Sequence, residues 1–383
     1  MGLSRPKFIL LTHEFPPFRG GVASFCRDLA LGLAENDALT EVWAPQGTFP
    51  TRSAWATPFP NLTVRRFSGS GRLTPTGLWA MRRAFRQAVS ENPEGQIILA
   101  SYGAICGHLL SLAIPGATSL AWVLHGSEIL KWEKNGLWRF LACRAANRVG
   151  TVFCNSEFTK KRFHTFIGAA ISPKIEILKL GPGTSSFTDS STGSRPNGDR
   201  LRLLCLARLH PRKGQLELAH ALHLLPQADR SRLIFQLAGA GDSEYLELVV
   251  KTAQAARVEV EVLGPIADEQ LGATYAQADI YAMTPITLNR SVEGFGMTFL
   301  EAGLKGKPVL GYRSGGVAEA VQDGVTGFLV DEGDQVALAQ KLSDLINNPG
   351  LREQMGSAGL QFAKGRSWQQ VGRAVVQAMA SEK

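Results

Sequence analysis

Arg202-Leu-Leu-Cys-Leu-Ala-Arg208-Leu-His-Pro-Arg-Lys213-Gly214 is followed by a helical pattern that runs to Leu225. Arg202 to Ala207 is an apolar run of strand length. A strand that ends in a short loop and turns at once into a helix is the repeating unit of a parallel sheet covered by helices. In open sheets of this kind ligands sit beyond the carboxyl ends of the strands, so the loop from Arg208 to Lys213 is where chemistry is expected. A fork-shaped guanidinium and a point-charge ammonium at one strand mouth suit a diphosphate, although a solvated basic loop has the same composition.

The same alternation runs on in both directions. Downstream, strands are expected at Leu233 to Ala238, Val258 to Leu263, Ile280 to Met283 and Pro308 to Gly311. Helices are expected at Ser243 to Ala256, Asp268 to Ala278, Met297 to Lys305, Val317 to Gln322 and Trp368 to Ala380. Upstream, strands are expected at Lys7 to Thr12, Ala38 to Ala44, Gln96 to Ala100, Ser119 to Leu124, Thr151 to Cys154 and Lys174 to Leu178, with a first helix from Val22 to Ala34. Gly181 to Arg200 breaks the pattern with Gly, Ser, Thr and Pro and reads as a connection. The chain of 383 residues therefore divides into residues 1–182, a linker 183–199, a second domain 200–365 and a terminal helical segment 366–383. Both domains are α/β, doubly wound around parallel sheets, with a cleft expected between them.

Four second-half loops fall on one sheet edge. They are the Arg208 loop, Gly239-Ala-Gly241-Asp, Leu263-Gly264-Pro-Ile and Ser291-Val-Glu293-Gly294-Phe295-Gly296-Met297-Thr-Phe-Leu-Glu301. In the last of these, Gly294 and Gly296 permit a tight turn, and the helix start near Met297 offers free amides to an anion. Glu293 and Glu301 can accept hydrogen bonds from hydroxyls, so a ligand carrying both phosphate and sugar fits the pair. Glu in the first turn of a helix is also favoured simply by the macrodipole. In the first half, Gly20 and Gly21 precede a helix after His13-Glu-Phe-Pro-Pro-Phe-Arg, without the GxGxxG or P-loop pattern. His125, before Gly126 at a strand end, is well placed to touch a sugar, although a buried structural His is the more common case.

Charge is uneven. Up to Ser190 there are 21 Lys and Arg against 12 Asp and Glu, and beyond it 20 against 21. Trp79, Arg82, Arg83 and Arg86 share one helical stretch; Lys131, Trp132, Lys134, Trp138, Arg139, Arg144 and Arg148 share another. Aromatic residues among cations suit an anionic membrane surface or an anionic acceptor, while a solvated helix face with Trp in the core is the plainer alternative. No nucleic-acid-binding motif accompanies the charge. The five scattered cysteines form no CxxC pair, which points to reduced thiols in a cytoplasm and away from zinc. No DxD pair offers a cradle for a nucleotide-bound divalent metal, so no metal and no further cofactor is expected.

Taken together, these residues resemble the GT-B glycosyltransferases, and among them the retaining family 4 group. The resemblance rests on Glu293 and Glu301 in an E-x7-E pattern, on Arg208 and Lys213 in a [GA]-R-L-x-x-x-K-G loop, on Gly20-Gly21 after Pro16-Pro17, on Gly315-Gly316 with Glu319, and on Asp323-Gly-Val-Thr-Gly327. It covers the second half nearly throughout and the first half in short motifs. Ala207 stands where the family usually has glycine, and Leu304-Lys305 where it has small residues.

The resemblance implies a nucleotide-diphosphate sugar donor, of the UDP-glucose type, and a saccharide or lipid-linked acceptor. It implies Arg208 and Lys213 on the diphosphate, Glu301 on the ribose, and Glu293 with the amides of Gly294, Phe295 and Gly296 at the hexose. It further implies His125 at the hexose, Gly20-Gly21 at donor phosphate or acceptor, and the base against Val262, Leu263 and Gly264 with Gly239 and Gly241 beside it. The terminal helix is implied to pack back on the first domain. A nucleotide-sugar 2-epimerase and a non-catalytic sugar-nucleotide binder share this fold and stand as alternatives. The protein is expected in the cytoplasm, with peripheral association at an anionic membrane.

Overall fold

A computed structural model describes residues 5–18, 20–47, 57–111, 119–168, 173–184 and 200–381. Most of the expected linker, 185–199, lies outside the described residues, as do positions 48–56. The chain forms two compact units, Met1–Leu180 with Ser367–Lys383, and Gly181–Arg366.

The first unit is built from β1 (Lys7–Leu11), α1 (Gly21–Ala34), β2 (Leu39–Pro45), β3 (Leu62–Phe67), α2 (Pro75–Glu91), β4 (Gln96–Leu99), α3 (Tyr102–Leu109), β5 (Ser119–Leu124), α4 (Ser127–Glu133), α5 (Gly136–Ala146), β6 (Thr151–Cys154), α6 (Glu157–Ile167) and β7 (Lys174–Ile177). Its sheet has the order β3-β2-β1-β4-β5-β6-β7, with every pairing parallel. The central strands are apolar on both faces because helices cover both, and Phe8 to Leu11 and Leu120 to Leu124 are buried. Chain order reverses between β1 and β4, which puts the loop after β1 and the loop after β4 side by side.

The second unit repeats the plan with β8 (Leu201–Leu206), α7 (Gln215–His223), α8 (Gln227–Arg230), β9 (Leu233–Ala238), α9 (Ser243–Ala255), β10 (Glu259–Gly264), α10 (Leu271–Gln277), β11 (Ile280–Met283), α11 (Met297–Leu304), β12 (Val309–Tyr312), α12 (Val317–Ala320), β13 (Gly327–Val330), α13 (Gln335–Asn347) and α14 (Pro349–Lys364). The order β10-β9-β8-β11-β12-β13 is again all parallel, and the reversal lies between β8 and β11. Both units are therefore Rossmann-like, as the sequence implies.

After α14 the chain returns to the first unit as α15 (Trp368–Ala380). The Ser367 side chain caps its start in a capping box with Gln370. α15 lies against α1 through two glycines. A Cβ at Gly32 would stand 2.1 Å from the Trp368 carbonyl oxygen, and one at Gly372 would stand 2.1 Å from the Gly32 carbonyl oxygen.

Several elements differ from the sequence reading. β3 was not anticipated: it is an edge strand whose Arg65 and Arg66 stay half-buried, so it lacks the continuous apolar run of a central strand. β13 is a four-residue strand at the opposite edge of the second sheet. The helix expected from Asp268 opens as a 3-10 turn, Asp268–Gln270, before α10. Trp132 belongs to no basic face, because its ring is fully buried against Trp122, Tyr102 and Phe166. Trp79 remains exposed, at 59%.

Gly32→Ala is expected to cost about 1–3 kcal/mol through overpacking of α1 on α15, read from the urea midpoint. Gly136→Ala, where a Cβ meets nothing within 4 Å, should leave the midpoint unchanged or slightly raised.

Candidate functional site

In the second unit, β8 ends at Leu206 and the chain crosses Arg208 into a 3-10 turn, Pro211–Lys213. His210 caps that turn by accepting the Arg212 N–H on Nδ1 at 3.1 Å. Gly214 then takes a left-handed conformation, φ +72°, and presses on β11's exit so closely that a Cβ there would stand 1.6 Å from the Thr284 carbonyl oxygen. The Thr284 hydroxyl donates to the Gly214 carbonyl at 2.6 Å, and the Ile286 N–H donates to the Arg212 carbonyl at 2.9 Å. These contacts join the two strand exits that flank the point of reversal.

Glu293 arrives from the loop after β11. One of its oxygens, Oε2, accepts from Lys213 Nζ at 2.5 Å and from Arg212 Nη1 at 2.9 Å. The three side chains are 11–16% exposed. Burial alone would push the Glu293 carboxyl up, but the Lys213 ammonium and Arg212 guanidinium hold it down at about 2. Burial lowers the Lys213 pKa, Glu293 opposes the fall, and Arg212 and Arg208 add to it. The His210 pKa is lowered by burial and by Arg208 and Arg212, against the pull of Asp242, whose side chain caps α9. The Glu293 backbone is fixed too, its carbonyl accepting from Gly316 N–H at 2.9 Å.

The remaining expected residues of this unit fall on the same carboxyl edge. Arg208 is exposed, and its guanidinium makes no hydrogen bond or ion pair among the described residues, so the expected Arg208 and Lys213 pair divides into one free cation and one neutralised by Glu293. Gly294, Phe295 and Gly296 are buried in the turn before α11, and Met297 is the helix's first residue. Gly296 sits at φ +88°. Glu301, one turn into α11, accepts from the Tyr275 hydroxyl at 2.7 Å. Gly239 donates its N–H to the Gly264 carbonyl at 2.8 Å, and a Cβ at Gly241 would meet the Leu209 carbonyl oxygen at 2.1 Å. Val262 and Leu263 are 49% and 39% exposed on the edge strand β10, an apolar platform open to a ligand.

In the first unit, His125 follows β5. Its Nε2 lies 3.0 Å from the Ala100 carbonyl, its N–H donates to the buried Glu128 carboxylate at 3.0 Å, and its ring meets Phe25 edge-on at 4.7 Å. Gly20 and Gly21 are exposed, and a Cβ at Gly21 would meet nothing within 4 Å. His13 stands at the exit of β1, its Nδ1 2.7 Å from Ser101 Oγ and its Nε2 3.7 Å from a Glu14 oxygen. Burial, then His125 and Lys131, push it down to about 4, so the ring is neutral.

The sequence reading missed Arg212, Tyr275 and His13 as site residues. Arg212 was legible as the neighbour of Lys213 in the loop. Tyr275 had no local signal, since it lies 26 residues before Glu301. Among the described residues no group of three or more His, Cys, Asp or Glu could hold a metal ion.

Comparison with known proteins accords with this geometry. Residues 187–362 match the family described as glycosyl transferases group 1, and residues 19–181 match glycosyltransferase family 4. A GDP-mannose-dependent alpha-(1-6)-phosphatidylinositol monomannoside mannosyltransferase of Mycolicibacterium smegmatis is 32% identical over 93% of both chains. The chain belongs to the family 4 glycosyltransferases. The monoacylated-substrate counterpart of Corynebacterium glutamicum is 28% identical over the whole of both chains. Sucrose-phosphate synthase of Thermosynechococcus elongatus superposes with a TM-score of 0.77 at 17% identity, over 98% of this chain and 99% of the other. Anabaena HepE, in complex with UDP and glucose, superposes at 0.73 with 21% identity, over 98% and 100%. The GT-B fold of this family 4 enzyme is thus shared with proteins of very different sequence.

A carboxyl whose folded pKa lies below its unfolded value stabilises the fold above the unfolded value, and that contribution drains away as pH falls through the folded one. Glu293 should therefore cost this glycosyltransferase stability as pH falls from about 4.5 to about 2. Glu293→Gln should lower stability at neutral pH and flatten that part of the profile, read by chemical denaturation at stepped pH.

Proposed function

We propose that this glycosyltransferase moves mannose from GDP-mannose, with retention of anomeric configuration, to a saccharide or lipid-linked acceptor at an anionic membrane surface. The pairing of Arg212 and Lys213 with the single carboxylate of Glu293, and the exposed Arg208 on the same loop, unpaired among the described residues, carry the diphosphate part of the reading. They leave the loop after β8 cationic and partly buried, the setting in which charge developing on a leaving group is best stabilised.

The proposed roles are those the family resemblance implies, and the placement of these second-unit residues on one sheet edge supports them. Arg208 and Lys213 take the diphosphate, Glu301 the ribose, and Glu293 with the amides of Gly294, Phe295 and Gly296 the hexose. Met297 opens the helix whose free amides face the anion. The base lies against Val262, Leu263 and Gly264, with Gly239 and Gly241 supplying close backbone approach. His125 is assigned to the hexose, and Gly20-Gly21 to donor phosphate or acceptor, on the family resemblance alone. In the retaining step the anomeric carbon–phosphate oxygen bond breaks and the acceptor oxygen bonds to the same face. The departing phosphate oxygen takes the acceptor's proton.

The sequence reading favoured a UDP-glucose donor. GDP-mannose is preferred here because full-length relatives at 28–32% identity are named as GDP-mannose-dependent. UDP-glucose remains the second reading, since HepE is seen with UDP and glucose.

The membrane part rests on the first unit. The crossovers β3 to β4, β4 to β5 and β5 to β6 run in one direction, so α2, α3 and α5 cover the same sheet face. On that face Trp79 is 59% exposed near Arg83 and Arg86 on α2, and Leu137 and Phe140 are 66% and 62% exposed near Arg139 and Arg144 on α5. Among the described residues no helix is long and apolar enough to cross a membrane.

A thermal-shift panel of sugar nucleotides should give its largest stabilisation with GDP-mannose, and transfer to a mannolipid extract should follow the same donor. Stabilisation by UDP-glucose alone would move the donor to the second reading. Arg208→Ala and Lys213→Ala should each lower kcat by roughly a hundred- to a thousandfold, with unfolding midpoints showing retained folds. The double variant Leu137→Glu with Phe140→Glu should lose sedimentation with anionic vesicles; unchanged sedimentation would remove α5 from the membrane face.

A further inference from the structure

Behind Glu301 stands a fully buried tyrosine. The Tyr275 side chain has no exposed surface, and its hydroxyl donates to Glu301 Oε2 at 2.7 Å across the boundary between α10 and α11. The ring is held by others. Tyr275 meets Tyr281 edge-on at 5.7 Å between centroids, and Tyr281 meets Phe299 edge-on at 5.6 Å. Tyr281 in turn donates its hydroxyl to the Leu206 carbonyl at the end of β8, at 3.2 Å. Phe299 is confined by backbone on both sides, since a Cβ at Gly296 or at Gly311 would stand 2.8 Å from its ring. The Tyr275 hydroxyl is therefore a donor at a fixed point, supported by a chain of packed rings that reaches the strand exit carrying Arg208.

Glu301 itself is only half-buried, on a helix whose first turn faces the candidate site. A glutamate has three side-chain torsions, and each free rotamer costs entropy when a ligand selects one. A hydrogen bond from a rigid buried donor removes that freedom before the ligand arrives. We infer that Tyr275 is a positioning residue that holds the Glu301 carboxylate in the orientation needed to accept the donor's ribose hydroxyls. This rests on the reading of Glu301 as the ribose acceptor. Tyr275 touches no ligand; it acts through Glu301 and sets how sharply the enzyme separates a ribonucleotide from one without ribose hydroxyls.

The test is calorimetric binding of GDP and of dideoxy-GDP, which lacks both ribose hydroxyls, to the full chain and to Tyr275→Phe, Glu301→Gln and the double variant. Tyr275→Phe removes one oxygen and keeps the ring packing, and unfolding midpoints report whether each variant is folded. The wild type should prefer GDP. Tyr275→Phe should weaken GDP binding on the order of tenfold while leaving dideoxy-GDP within about twofold, the size expected for a hydrogen bond to a charged group. Glu301→Gln should shrink the same preference, and the double variant should add little, because the two residues act as one unit. A Tyr275→Phe protein that keeps the full preference, with only a lower midpoint, would reduce the contact to fold support. Equal weakening toward both nucleotides would also overturn the inference. A wild type that binds both nucleotides alike would instead overturn the ribose reading of Glu301, and the inference would fall with it.

Discussion

One carboxylate oxygen is shared by two cations of a single turn, and the second unit is arranged around that contact. Arg212 and Lys213 both donate to Glu293 Oε2, although Glu293 is about 80 residues further along the chain. Such a contact forms only if the exits of β8 and β11 are adjacent, which the reversal of strand order provides. It also demands backbones closer than any side chain allows, and Gly214 against Thr284 and Gly315 against Glu293 supply that closeness. At each of the two a Cβ would overlap a carbonyl oxygen, and at each φ is positive. Both glycines are therefore required for space and for backbone conformation together.

Much of this was legible in the sequence. The alternation of apolar runs with helical patterns placed the central strands to within a residue or so, because a strand buried on both faces has to be apolar throughout. Edge strands were harder. β3 carries Arg65 stacked over the Trp43 ring, 4.1 Å from its centroid, so its covered face is partly built of a charged side chain and the apolar signal disappears. Trp132 follows the plainer of the two readings. Lys131 and Lys134 stand close to it in sequence, but helix periodicity turns the indole into the core and leaves both lysines outside.

The site was legible as a set of residue types and illegible as a set of pairings. Arg208, Lys213, Glu293 and Glu301 can be picked out from spacing. Which cation neutralises which carboxylate depends on a crossover and on two tight turns, and neither is written locally. The structure assigns Lys213 with Arg212 to Glu293, and leaves Arg208 without a counter-ion among the described residues. Tyr275 lay further from view, because a buried tyrosine in a helix reads as core until the partner of its hydroxyl is known.

This pairing has an electrostatic consequence. Arg208, Arg212 and Lys213 bring three positive charges, and Glu293 returns one, so the loop after β8 holds an excess of two. Burial together with the like charges of Arg212 and Arg208 already presses the Lys213 ammonium toward deprotonation, with Glu293 opposing. A sugar nucleotide carries two negative charges on its diphosphate and would bring the cluster to neutrality. On the proposed roles, the nucleoside diphosphate left after transfer would carry more charge than its donor did and would meet the same three cations. The proposed arrangement would thus favour the charge that develops during departure more than the charge present at arrival, which is the condition for lowering a barrier rather than only binding a ligand. Glu293 sets the margin. Without it the cations would already be over-supplied for the ground state, and with its pKa held down at about 2 it stays ionised at neutral pH.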